Sequence, residues 1–497
     1  MRLSPLLREK LRVDPKLVKC VIEVRRDKLD YVLSELRAIG IRIDRRLISQ
    51  PIPEGNYYIP AYIPADKIEE VSRIEGVVYI SKSMPRAIGG CTLQDIPFFA
   101  KIRDELLGDV RIPDIEIPMI AALEAVPNPI SIVKATGSLL TPLTGLNPIT
   151  NVRIYPTSVT AKILKDMKTK DGAGVTVAVL DTGSPFGVPQ FFAKSASLEQ
   201  YTVIPEPPDD WQGHGSWCHN CVCGGYAPSP YGPMVGMAPA VQKSIHVKCL
   251  NTFPGCGSSE GILKSIEIAV KRGAQVISMS LGGPAQGNSI DEDPEAKVVN
   301  ELAKKGVLFA IACGNSGPNI FTSGSPGCAI KAITVGSVSI MDNFKPTWWS
   351  SRLQSDWYGE HQDVFDRDLA RYGDELIKPD CTATGGGRAL KGAKPDEVIW
   401  SGAKGWFEGF YDGIKDATCG MHGTSQATPH VAGLLACLLS DEIITDVDDV
   451  KKHLKDTADE YIILDPYNEE IDKEFVESYG KSVATGWGLF KLSRFKR

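Results

Sequence analysis

The chain has 497 residues, 43% of them hydrophobic and 23% charged, with a formal net charge of −6. That length exceeds one ordinary hydrophobic core and predicts two or more domains. The charge balance gives no basis for a nucleic-acid or anionic-membrane partner, and no apolar run of about 18 residues marks a transmembrane helix.

The opening MRLSPLLREKLRVDPK carries charges on both sides of a very short apolar patch and has no small-residue cleavage site. It reads as a poor secretory signal, so an intracellular (cytoplasmic) protein is expected. Next come strand and helix patterns in alternation. Val18–Val24 is a strand, and 27–38 is an amphipathic helix with Leu29, Val32, Leu33 and Leu36 on one face. Strands follow at 41–48 and 57–63, then a short helix at 66–74 and a strand at 77–81. The order β-α-β-β-α-β is that of a small ferredoxin-like α+β domain, placed at 1–84. Residues 85–156 are rich in proline, with one helical stretch at 99–107, and read as a linker. From 157 to 497 the texture is α/β. Continuous apolar strands at 175–180, 244–247, 276–281, 307–312 and 332–335 alternate with helices at 260–271 and 294–305. Such strands imply a mostly parallel sheet covered by helices on both faces, with ligands beyond its carboxyl ends.

Of the twelve cysteines, Cys20, Cys313 and Cys437 lie in apolar runs and read as buried free thiols. Cys249 and Cys256 flank LNTFPG and could close a small loop, although free thiols are the expectation without an oxidising compartment.

Asp181 ends an apolar strand in Leu-Asp-Thr-Gly, where a rigid element can hold a carboxylate against an imidazole. Taken alone it could equally be a turn residue. His214 sits between glycines in a loop after the proline-rich run 205–212, and alone could be idle. Ser425 stands in a small-residue turn that leads into the apolar run LLACLL, near a helix N-terminus whose N–H groups can stabilise an oxyanion; alone it could be a cap. A hydroxyl nucleophile needs a base, and the base needs a group that sets its tautomer, so the three in this order form one hypothesis.

On VAVLDTG, GHGSWC and HGTSQATPHVAG, the region from about 157 to 490 resembles the subtilisin-like serine proteases, the subtilases. The resemblance implies a serine endopeptidase with Asp181, His214 and Ser425 as catalytic triad. IACGNSGP resembles the segment carrying the oxyanion-hole asparagine, here Asn315. SMSLGG resembles the edge strand that binds extended substrate, through Ser280, Leu281, Gly282 and Gly283, with Gly257 and Ser258 on the facing strand. Gly324 would help shape a pocket without an obvious charge, favouring apolar or medium-sized side chains. The first domain resembles the subtilase propeptide. That implies protein or peptide substrates, a self-processed zymogen, and the protein's own N-terminal domain as intramolecular inhibitor. No cofactor is implied for the chemistry, though structural calcium is common in the family. Asp209-Asp210, Asp291-Glu292-Asp293 and Asp446 to Asp449 are candidate calcium donors, read more simply as solvated acidic faces. Cys218, Cys221 and Cys223 with His214 and His219 raise a zinc site, which the helical spacing of the thiols and the role of His214 oppose. Ser216, Trp217 and Gln426 depart from the family pattern, and Trp217 is expected to crowd the imidazole. The aromatic and acidic segment 342–374 reads as a surface excursion, the alternative being a substrate-side loop. A catalytically inactive scaffold that binds extended peptides, and a metal-dependent hydrolase, are the rival readings.

Overall fold

A computed structural model describes residues 17–88, 146–147, 152–186, 197–285, 290–405, 407–408 and 416–495. The expected helix at 99–107 lies outside them.

The first unit is a four-stranded antiparallel sheet in the spatial order Arg42–Ile43, Tyr57–Ile63, Val18–Val24, Val77–Lys82. Alternation builds its core: Val18, Cys20, Ile22 and Val24 point to one face and pack with Val32 and Leu36 of the helix Leu29–Ala38 and with Val71 of the helix Ile68–Arg73. Val21 and Tyr58, on the opposite face, join the core of the large unit. The strand expected at 41–48 is cut short at Ile43, because the Asp44 carboxylate accepts the Arg46 N–H and starts a single 3-10 turn.

The large unit is built on a seven-stranded sheet whose recorded pairings are all parallel. From edge to edge it runs Cys381–Thr384, Ile333–Val338, Leu308–Ala312, Val276–Met279, Thr176–Asp181, Lys243–Lys248, Ser197–Thr202. Buried on both faces, its strands need continuous apolar sequence, which the LFAIA of Leu308–Ala312 supplies. The helix Thr424–Ser440 is apolar almost all round and buried along nearly its whole length. The run expected as one strand from 276 to 281 divides: Val276–Met279 stays in the parallel sheet, and Leu281–Gly282 turns out of it into a second, antiparallel sheet.

That second sheet has three strands, Cys256–Ser258, Pro85–Ile88 and Leu281–Gly282, with Pro85–Ile88 in the middle. A fourth sheet joins Thr418–Met421, Asp396–Gly402, Val152–Pro156 and Leu146–Asn147. Both ends of the proline-rich segment are therefore strands in sheets of the large unit. The first unit also docks by polar contacts. Glu23 accepts both bonds of Lys297 at 2.9 and 2.8 Å, and Lys264 Nζ donates to the Ile48 carbonyl. Among the described residues, no helix is long and apolar enough to cross a membrane.

Candidate active site

Asp181 is the last residue of the central strand Thr176–Asp181 and is fully buried. Its Oδ1 accepts the Thr182 N–H at 2.7 Å and stands 2.7 Å from His214 Nδ1. A carboxylate only accepts, so Nδ1 carries the proton and Nε2 is left as the basic nitrogen. Asp181 Oδ2 is buried with no hydrogen-bond partner among the described residues, which leaves its charge available to an imidazolium.

The loop expected around His214 ends sooner than the glycines imply: His214 is the first residue of the helix His214–Cys223. Gly213 takes φ 110°, and a Cβ on Gly215 would lie 2.4 Å from the Gly183 carbonyl, so helix and strand end meet at backbone contact. Asp210 organises this junction. Its carboxylate accepts the N–H groups of Gln212, Gly213 and Ser216 at 3.1, 2.8 and 2.6 Å and the Thr182 hydroxyl at 3.0 Å. Burial holds it above the ordinary carboxylate range. Thr182 Oγ1 in turn accepts the Gly215 N–H. Read from sequence as part of an acidic face, Asp210 is instead buried and holds the start of the helix in place.

Ser425 is the second residue of the helix Thr424–Ser440 and is 3% exposed. Its Oγ donates to the Ser280 carbonyl at 3.2 Å, and Ser280 Oγ donates to the Ser425 carbonyl at 2.9 Å. Cys218 Sγ joins the two helices, 3.8 Å from His214 Nδ1 and 3.6 Å from the Ser425 carbonyl. Asn315, half-exposed on the loop after Leu308–Ala312, accepts the Thr424 N–H and hydroxyl through Oδ1, both at 2.9 Å. Thr424 was not singled out from sequence, yet it orients this amide and places Nδ2 beside Gly423.

Gly257 and Ser258 pair with Arg86 and Pro85, while Leu281 and Gly282 pair with Ile88 and Ala87. The groove between the two edges is thus occupied by the chain's own strand. Leu281, Gly282, Gly283 and Gly324 line a cavity of roughly 200 Å³, with Gly314, Phe321 and Asp356 among its other walls. Asp356 is a charged wall that the sequence reading did not foresee. It comes from the segment 342–374, which is no mere surface excursion: Trp349 is buried and stacks on His422, and Arg352 is buried against Asp465 at 2.7 Å.

The metal candidates resolve differently. Among the described residues, Asp181, His214 and Cys218 alone bring three possible ligand atoms together. Burial pushes the Cys218 thiol well up, so it stays protonated and a poor ligand. His219 is buried against His246, ring centres 5.9 Å apart, and Cys221 and Cys223 are not part of that cluster. Asp293 and Asp446 are N-caps, accepting the Ala296 N–H and those of Asp448 and Asp449. Cys249 and Cys256 do not form a disulfide. Trp217 donates to the Cys419 carbonyl at 3.2 Å and packs edge-on to His430, taking its ring into the core. Gln426 is buried, its amide against Met421 Sδ.

Residues 172–488 match the family model described as the Subtilase family. The chain belongs to the subtilase family. It is 34% identical over 271 residues to pyrolysin of Pyrococcus furiosus, covering 52% of this chain and 18% of that protein. It is 31% identical over 313 residues to the serine protease AprX of Bacillus subtilis, covering 61% of this chain and 66% of that protein. The match thus spans less than two thirds of either relative. In fold it is similar to fervidolysin from Fervidobacterium pennivorans, a keratinolytic enzyme related to subtilisin, with a TM-score of 0.55 at 16% identity, over 97% of this chain and 61% of that one. The subtilase region thus takes in Asp181, His214, Asn315 and Ser425, and begins after the strand-bearing segment that fills its groove.

Proposed function

We propose that this subtilase is a serine endopeptidase working through an acyl-enzyme. Ser425 Oγ attacks the scissile carbonyl, and His214 Nε2 takes its proton and passes it to the leaving amine. Asp181 holds the ring and offsets the charge of the imidazolium. The Asn315 amide and the Ser425 N–H receive the oxyanion. The observation that carries the reading is the 2.7 Å Asp181–His214 bond at the carboxyl end of the central strand, beside a helix whose second residue is Ser425. The Ser425 hydroxyl rests on Ser280 rather than on the imidazole, and rotation about Cα–Cβ is the movement the reaction requires; such bonds are often loose before substrate binds.

In the same reading the N-terminal domain is an intramolecular inhibitor and the chain is made as a self-processed zymogen. Supporting this, Pro85–Ile88 lies between both edges of the groove and holds the place of an extended peptide. A fluorophosphonate probe tests the chemistry: it labels Ser425 of the processed protein with or without chelator, and Ser425→Ala abolishes labelling. An unlabelled but correctly processed protein would favour a scaffold that only binds peptides. Intact mass tests the zymogen, since wild type is expected shortened and Ser425→Ala full length; two full-length masses end that idea.

A further inference from the structure

The strand filling the groove carries a buried charge. Arg86 is fully buried, and its side chain enters a recess walled by the large unit. Its Nε and Nη2 donate to Glu295 Oε1 and Oε2 at 2.8 and 2.7 Å, and its Nη1 donates to the Pro284 carbonyl at 3.1 Å. This two-toothed pairing suits a planar guanidinium and does not suit an ammonium. Glu295 is itself fully buried, the second residue of the helix Pro294–Ala303, where the helix N-terminus favours its charge. Ser325 Oγ donates to Glu295 at 3.4 Å and to the buried Asp293 at 2.7 Å.

Two desolvated carboxylates side by side are costly without a cation. Burial and the Asp293 charge raise the Glu295 carboxyl above its ordinary value, and Arg86 draws it back. When the strand leaves, the cation leaves with it and the carboxylates remain. An incoming peptide with a neutral side chain at that place would leave Glu295 without its cation; one with arginine would restore both bonds. The pairing fixes the register, because Gly282 faces Ala87 and Leu281 faces Ile88. A substrate in this register sets the third residue after its arginine opposite Ser280, whose carbonyl holds the Ser425 hydroxyl.

Resting on the endopeptidase reading, we propose that Glu295, with Asp293, Pro284 and Ser325, forms an arginine-selecting subsite, and that preferred substrates carry arginine as the fourth residue before the cleaved bond. The test is a scan on processed, fluorophosphonate-reactive enzyme. Quenched peptides of one parent sequence place arginine, lysine or norleucine at each of the four positions before a fixed cleavage site. At the fourth position kcat/KM for arginine is expected to exceed that for norleucine by about 30-fold or more, as for a desolvated charge pair, with lysine between them. Glu295→Gln in the full chain is expected to lower that arginine-to-norleucine ratio about tenfold or more. If the variant does not fold, the wild-type scan decides alone. Equal rates for arginine and norleucine overturn the subsite, and a preference only at another position overturns the register. If the processed protein neither takes the fluorophosphonate label nor cleaves any of the peptides, the endopeptidase reading is refuted before the scan.

Discussion

Asp181 and Glu295 are both fully buried carboxylates, each about 2.7 Å from a nitrogen donor, but they belong to different kinds of pair. Asp181 and His214 both come from the large unit, from a strand end and a helix start locked together by Asp210 and Thr182. Glu295 and Arg86 come from segments 209 positions apart, and the cation rides on a strand that backbone pairing holds to the groove edges. The first pair is part of the scaffold whatever occupies the groove. The second exists only while an arginine is there. A buried charge whose partner is permanent sets geometry, and one whose partner can leave sets selectivity.

Several experiments bear on that contrast. The largest effect is expected at the permanent pair: Asp181→Asn should lower kcat roughly 10⁴-fold, because an amide no longer enforces the Nδ1–H tautomer. Steady-state rates on a peptide substrate measure it, and an unimpaired variant would remove Asp181 from the machinery. Asn315→Ala should cost about 100- to 1000-fold in kcat with KM little changed, as one oxyanion donor is lost; a rise in KM alone would make the residue a ground-state contact. Arg86→Leu, made in the unprocessed Ser425→Ala chain, should cost about 3 kcal/mol by leaving Glu295 unpaired in the interior. Urea unfolding reads this out, and an unchanged midpoint would mean that the recess rehydrates freely.

The smallest effect concerns histidines that have no acid partner. His219 on the helix that His214 opens and His430 on the Ser425 helix are held down to about 4 by burial. Below the unfolded value of about 6.5 the unfolded chain takes up protons that the fold excludes. Stability is therefore full above that value and falls as the pH drops towards 4, by about 0.8 kcal/mol for each ring at pH 6. Thermal melts of Ser425→Ala from pH 7 to pH 4.5 check the sign; a melting temperature that rises on acidification would contradict it.

The strands were legible because their signals are local. Val18–Val24 and Tyr57–Ile63 match their predicted bounds, and the apolar runs of the large sheet fall within a residue or two of theirs, apart from the 276–281 run, which the fold divides, and the 332–335 run, which continues to Val338. The strand-end position of Asp181 and the helix-start position of Ser425 were legible because each stands in a short motif of small residues. Thr424, Asp210 and Asp356 were not, since nothing nearby distinguishes a hydroxyl that orients an amide, a buried carboxylate that holds a helix start or a cavity wall from an ordinary surface residue.

Sequence alone determined the parallel sheet and the small antiparallel unit before it, and it proposed Asp181, His214 and Ser425 for one site. Tertiary structure alone decided that His214 opens a helix, that Leu281–Gly282 leaves the main sheet, and that Arg86 meets Glu295. Periodicity and turn chemistry are written within a few residues of chain. Whether a charge is buried, and which partner compensates it, depends on segments brought together only when the two units pack.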